Sequence, residues 1–139
     1  MNEKDYKKLT KENKKIVDLF THWLKNQNLS NKTMNSHLFN VDLFINEYLI
    51  DYQFVNPVKG IAYIDDFMED FFVRKCMWSN ANSMKTTAAS LKKFYQCLAD
   101  YGKISDKDLN FVKTLIKNNI DFWIETVEEY NNFDEDEWF

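Results

Sequence analysis

The chain has 139 residues, 45% of them hydrophobic and 17% aromatic, enough for one domain with a substantial core and no need of stapling by disulfides or metals. Only two glycines and one proline leave few positions for tight hairpin turns, so helices joined by short polar links are expected. The net charge is −4, and no stretch approaches the ~18 consecutive apolar residues of a membrane span, which predicts a protein without a membrane partner.

Apolar spacing predicts a first helix over about Thr10–Asn26, with Ile16, Leu19, Phe20, Trp23 and Leu24 on one face. Ser30 is a suitable N-cap for a second helix reaching Ile50, whose stripe runs through Met34, Leu38, Val41, Ile45, Tyr48 and Leu49 and is widened by Leu43 and Phe44. Asp51 to Ala62 holds Pro57 and Gly60 and reads as the longest connection. A third helix over Ile64–Met77 turns Phe67, Met68, Phe71 and Phe72 inward and starts with Asp65, Asp66, Glu69 and Asp70, where the helix dipole favours anions.

The cluster Asn80 to Ser83 caps a fourth helix that runs to Tyr101 and stops at Gly102. Its buried stripe is Met84, Ala88, Leu91, Tyr95 and Leu98. Ser105 opens a fifth helix through Leu109, Val112, Leu115 and Ile116, and a sixth is expected from Ile120 through Trp123, Ile124, Val127 and Tyr130. Asn131 to Phe139 is expected to fray. The predicted fold is thus an all-α, compact orthogonal bundle of five to six helices. It forms a single domain over residues 1–132, followed by an acidic, aromatic tail over 133–139.

Little in the sequence suggests catalysis. Zinc sites need matched His and Cys ligands, but His22, His37, Cys76 and Cys97 have no such spacing. His37 borders an apolar stripe and is expected to be packed and hydrogen-bonded. Gly60 and Gly102 are isolated, so no phosphate-cradling loop is expected. The Asp65–Asp66 and Glu69–Asp70 pairs are expected to compensate the helix dipole rather than act as acid and base. No enzyme, cofactor or metal is predicted. The cysteines lie in apolar segments and no apolar leader precedes them, which points to a reducing, cytoplasmic setting.

Charge is unevenly distributed. Residues 1–32 hold eight lysines and four acids, and residues 121–139 hold eight acids and no base. The outer face of the fourth helix is more specific: Asn82, Lys85, Thr86, Ala89, Lys92, Lys93 and Gln96 share one side without an acid. Such amide, hydroxyl and ammonium groups hold phosphates, and Asn and Gln also read adenine in a major groove. The start of the second helix adds Lys32, Thr33, Ser36 and Asn40, beside backbone amides suited to a phosphate. An ordinary solvated face is the alternative.

Three stretches resemble the N-terminal, SAM-like core-binding domain of tyrosine recombinases, the phage-integrase family. Phe20 to Leu24, Asn28 to Thr33 and Val41 to Phe44 are similar to its opening, a helix, a leucine-serine-x-x-threonine turn and a helix ending in leucine-phenylalanine. Asp66 to Phe72 resembles its third helix, and Ser83 through Leu91-Lys92-Lys93-Phe94-Tyr95 its fourth. The resemblance covers about residues 10–102, which makes 103–132 an addition. It implies half of a clamp around duplex DNA, with Lys32, Thr33, Ser36, Asn82, Lys85, Thr86, Lys92 and Lys93 facing the groove. Recombinase catalysis uses two arginines, a lysine, histidines and a tyrosine in a separate domain; this sequence has one arginine, Arg74, so that chemistry is not expected of it.

A second expectation is a protein-interaction module. Phe133, Trp138 and Phe139 flank four acids, and aromatic anchors guided by charge suit a basic groove on a partner. A third expectation joins the two: the same tail folds over the chain's own lysine face as a phosphate mimic.

Overall fold

The computed structural model describes residues 2–137, and side-chain surroundings for residues 2–132; all of the secondary structure described is helical. Helix α1 is Glu3–Lys25, capped by Asn2, whose side chain accepts the Asp5 amide at 2.8 Å. It begins a full two turns before the expected Thr10. Residues 3–9 are mostly charged, and Tyr6 and Leu9 alone leave too sparse an apolar pattern to mark a helix; Thr10 donates to the Tyr6 carbonyl within the helix instead of capping it.

Helix α2, Asn31–Asp42, is capped by Ser30 as expected and continues without a break into a π-helical segment, Leu43–Gln53. The burial pattern explains the wider winding. Leu43, Phe44 and Ile45 are buried, then Tyr48, Leu49 and Ile50, a repeat of five that matches i to i+5 hydrogen bonding better than the α-helical 3.6. Phe54 ends the segment in the left-handed conformation, its amide donating back to the Leu49 carbonyl.

The expected long connection is therefore short. A turn leads to the 3-10 helix Lys59–Tyr63, and Tyr95 Oη donates to the Pro57 carbonyl at 2.8 Å, holding the turn to the core. Helix α3 follows as Ile64–Asp66, the π turn Phe67–Phe71 and Phe72–Lys75. Its opening carboxylates do more than offset a dipole: Asp65 Oδ1 accepts Trp123 Nε1 at 2.9 Å and Asp66 accepts the Tyr48 hydroxyl. Asp70 pairs with Arg74.

Helix α4, Ala81–Asp100, starts at a capping box of Asn80 and Ser83, and Gly102 follows it at φ +70°. Helix α5 is one element, Asp106–Glu137, where two helices and a frayed tail were expected. Asn118 and Asn119 look like a break in sequence, but Asn119 Nδ2 donates to the Leu115 carbonyl, feeding its polar group back into the helix.

All five helices share one continuous core. Phe20, Leu24, Phe44, Tyr48, Phe67, Phe72, Phe94, Tyr95 and Trp123 are fully enclosed. Aromatic edges meet faces throughout it, as in Phe20–Phe94 at 5.4 Å and Phe44–Phe67 at 4.9 Å between ring centroids.

Two glycines are held for different reasons. A methyl group at Gly60 would run into the enclosed Leu49 side chain, whereas Gly102 has open space but a left-handed backbone. Gly60→Ala is expected to cost about 1–3 kcal/mol by overpacking, and Gly102→Ala about 1 kcal/mol from the backbone alone. Urea denaturation of the two variants checks this; a Gly60→Ala protein as stable as the parent would show that Leu49 has room to move.

Candidate nucleic-acid interface

Helix α4 is buried over most of its circumference. Met84, Thr87, Ala88, Ser90, Leu91, Phe94, Tyr95, Cys97 and Leu98 are all inside, which confines its charged side chains to the remaining strip. Asn82, Lys85, Thr86, Ala89 and Lys92 are exposed along it, and Lys93 and Gln96 are half-buried at its edge.

A buried polar cluster sets how α2 meets this helix. Ser90 Oγ donates to the Thr86 carbonyl at 2.9 Å, so its lone pairs are free to accept Asn40 Nδ2 at 3.0 Å and His37 Nδ1 at 2.7 Å. With the single hydroxyl proton spent on Thr86, the short contact places a His37 proton on Nδ1. Burial, aided by the nearby Lys93 charge, holds its imidazole below the ordinary value of 6.5. His37 is thus packed and hydrogen-bonded, and Asn40, counted from sequence among the phosphate-facing groups, is turned inward and engaged.

The strip opens on its α5 side into a groove of about 420 Å³ lined by Lys85, Ala88, Ala89, Lys92, Lys113, Ile116, Lys117 and Ile120. Four ammonium groups thus surround a small-residue, apolar floor. A second hollow of about 260 Å³ continues from it, shared by Lys92, Lys93, Gln96 and Lys113 with Trp23 and Gln27 of α1. No acid lines either one among the described residues, and none of these five lysines lies in an ion pair there. Asp100 marks one end, where it accepts Trp23 Nε1 at 2.8 Å and Gln96 Nε2 at 2.9 Å. A hollow of about 530 Å³ at Asn2, Glu3, Lys4 and Lys7 involves only the first turns of α1 and encloses nothing.

The structure brings Lys85, Lys92 and Lys93 together. Asn82 and Thr86 lie on the same strip but outside both hollows, and Thr86 Oγ1 donates to the Ser83 carbonyl. Lys32, Thr33 and Ser36 are exposed at the start of α2 and line neither hollow; the Thr33 hydroxyl accepts from Ser30. Lys113 and Lys117 were missed from sequence. Their i, i+4 spacing on one side of α5 was the available signal, but only the packing of α5 on α4 makes them neighbours of Lys85 and Lys92. The Phe133 side chain, Trp138 and Phe139 lie outside the described residues.

The remaining candidate chemistry is quiet. Cys76 and Cys97 are free and buried, and burial pushes the Cys97 thiol up to about 12 and the Cys76 thiol to about 11, far from a reactive thiolate. Among the described residues no three His, Cys, Asp or Glu side chains gather as a metal site requires, and no helix is long and apolar enough to cross a membrane. Comparison with protein-family models finds no match, and comparisons with curated proteins and with solved structures find none either.

The His37 cluster has a pH signature. Its folded-state pKa is depressed, so the unfolded chain takes up the proton first as pH falls. The stabilisation from neutral His37 is present above about 6.5 and drains away as pH drops towards the folded value. Denaturation midpoints measured from neutral to mildly acidic pH should fall less steeply in His37→Gln than in the parent; parallel curves would show that His37 titrates normally.

Proposed function

We propose that this chain binds duplex DNA without catalysing a reaction on it, acting as a stand-alone counterpart of a recombinase core-binding domain in an accessory or regulatory role. The observation that supports this most directly is the α4–α5 groove, where four lysines from two helices meet beside Lys93 with no acid between them. Phosphate contacts supply most of the affinity of such binders, and lysines serve as point charges for them. Along α4, Lys85 and Lys92 are separated by about 10 Å at 1.5 Å per residue, a length over which one strand of a duplex presents roughly three phosphates at 3.4 Å of duplex axis each. Lys113 and Lys117 then engage the same strand from α5.

In this reading Asn82 and Thr86 lie at the other end of the strip, placed to meet base edges or sugar, and Lys32, Thr33 and Ser36 on α2 flank the duplex. Trp23 and Gln27 extend the contact beyond the lysines.

With about four lysine–phosphate contacts, log affinity should fall against log salt with a slope of roughly −3.6. Fluorescence anisotropy of a labelled mixed-sequence duplex measures this directly. Lys92→Glu combined with Lys113→Glu and Lys117→Glu should abolish binding while circular dichroism remains unchanged. A salt-independent signal, or equal binding by that variant, would overturn the reading.

A further inference from the structure

The same chain carries the chemical complement of its groove. Asp134, Glu135, Asp136 and Glu137 are four consecutive acids between Phe133 and Trp138, and from residue 121 onward the sequence has eight acids and no base. Acids four apart, Asp121 with Glu125 and Glu125 with Glu129, repel along α5, and past Lys117, which stands four residues before Asp121, the helix carries no further cation. The last described turn of α5 also lacks a basic residue.

This acidic arm does not reach its own groove. The groove takes Lys113, Ile116, Lys117 and Ile120 from α5 itself, and α5 runs unbroken to Glu137. From Lys117 to Asp134 the helix advances roughly 25 Å at 1.5 Å per residue. No Gly or Pro lies between them to allow a reversal. The intervening stretch is also anchored: Trp123 and Val127 are fully buried, and Asn131 Nδ2 donates to the Ser79 carbonyl at 3.0 Å.

We propose that the acidic end of α5 in one copy docks in the lysine groove of a second copy. The arm brings four carboxylates to a groove of four ammonium groups, Lys85, Lys92, Lys113 and Lys117, and the aromatic residues flanking the acids supply apolar contact for the floor of Ala88, Ala89, Ile116 and Ile120. The contact joins two different patches, so it is head-to-tail: it closes into a ring where rotation permits and otherwise builds short chains. It occupies the anion site that the DNA-binding reading uses, and so makes self-association and DNA competitors. The docking rests on the groove's charge and does not require DNA to be its ligand.

Sedimentation velocity tests it with the full chain. At low ionic strength and high protein concentration the parent should sediment as species of about twice the monomer mass or more, returning to monomer as salt screens the contact. Two full-length variants should each remain monomeric: a neutral arm (Asp134→Asn, Glu135→Gln, Asp136→Asn, Glu137→Gln) and a reversed groove (Lys113→Glu, Lys117→Glu). Mixed in equal amounts, they should form a heterodimer, because one retains the groove and the other the arm. A parent that stays monomeric, a neutral-arm variant that assembles like the parent, or a mixture that fails to pair overturns the docking. Duplex binding by the neutral-arm variant is read separately by anisotropy: its absence overturns the DNA reading alone, and its presence with a monomeric parent overturns only the docking.

Discussion

The burial of α4 on several sides is the constraint on which the surface chemistry depends. Nine of its side chains are enclosed, from Met84 through Leu98, by packing against α1, α2 and α5. A helix of 3.6 residues per turn buried to that extent has one narrow strip left for charge, and Lys85, Lys92 and Lys93 lie along or beside it. The packing of α5 then sets Lys113 and Lys117 across from them. The groove is therefore not an added loop or insertion. It follows from the way the core excludes lysine.

Polar groups inside the core determine which faces meet. Hydrogen bonds between neutral groups contribute only about 0.5–1.5 kcal/mol each, but a buried group left without a partner costs about 1–3 kcal/mol. Ser90 with His37 and Asn40 fixes α2 on α4, and Asn13 on α1 donates to the Ile45 carbonyl and the Asn46 side chain, while at the core's edge the half-buried Asp65 carboxylate accepts Trp123 and ties α3 to α5. Sliding any of these pairs by one residue would strand the partners. The apolar residues supply most of the stabilisation, and these contacts select one arrangement among several that would bury similar area.

The inward stripes of α2, α3 and α4 were legible because they repeat at helical spacing and dominate their segments. The π winding of Leu43–Gln53 was not, since a repeat of five resembles a broad α-helical stripe until burial is resolved residue by residue. The first turns of α1 are stabilised by a cap and by the Lys7–Glu3 pair, local effects without an apolar signature. Half of the groove was visible on the same principle: Lys85 and Lys92 follow from the polar face of one helix, whereas Lys113 and Lys117 acquire meaning only through a contact between elements distant in sequence.

An acidic chain with a basic groove is consistent once separation is set against screening. Net charge governs the field far from the molecule, but a phosphate at the surface responds to charges within a Debye length, about 8 Å at physiological ionic strength. The four acids ending α5 lie roughly 25 Å along the helix from Lys117, some three screening lengths away. They contribute to the −4 total from outside the groove's screening range, where Asp121, one turn past Lys117, and Asp100 at the end of the second hollow are the closer acids. The unbroken α5 thus brings Lys113 and Lys117 to the groove and carries the four terminal acids away from it. The proposed DNA contact and the proposed docking of a second copy therefore call on the same lysines, because a phosphate and a carboxylate are met there by the same chemistry.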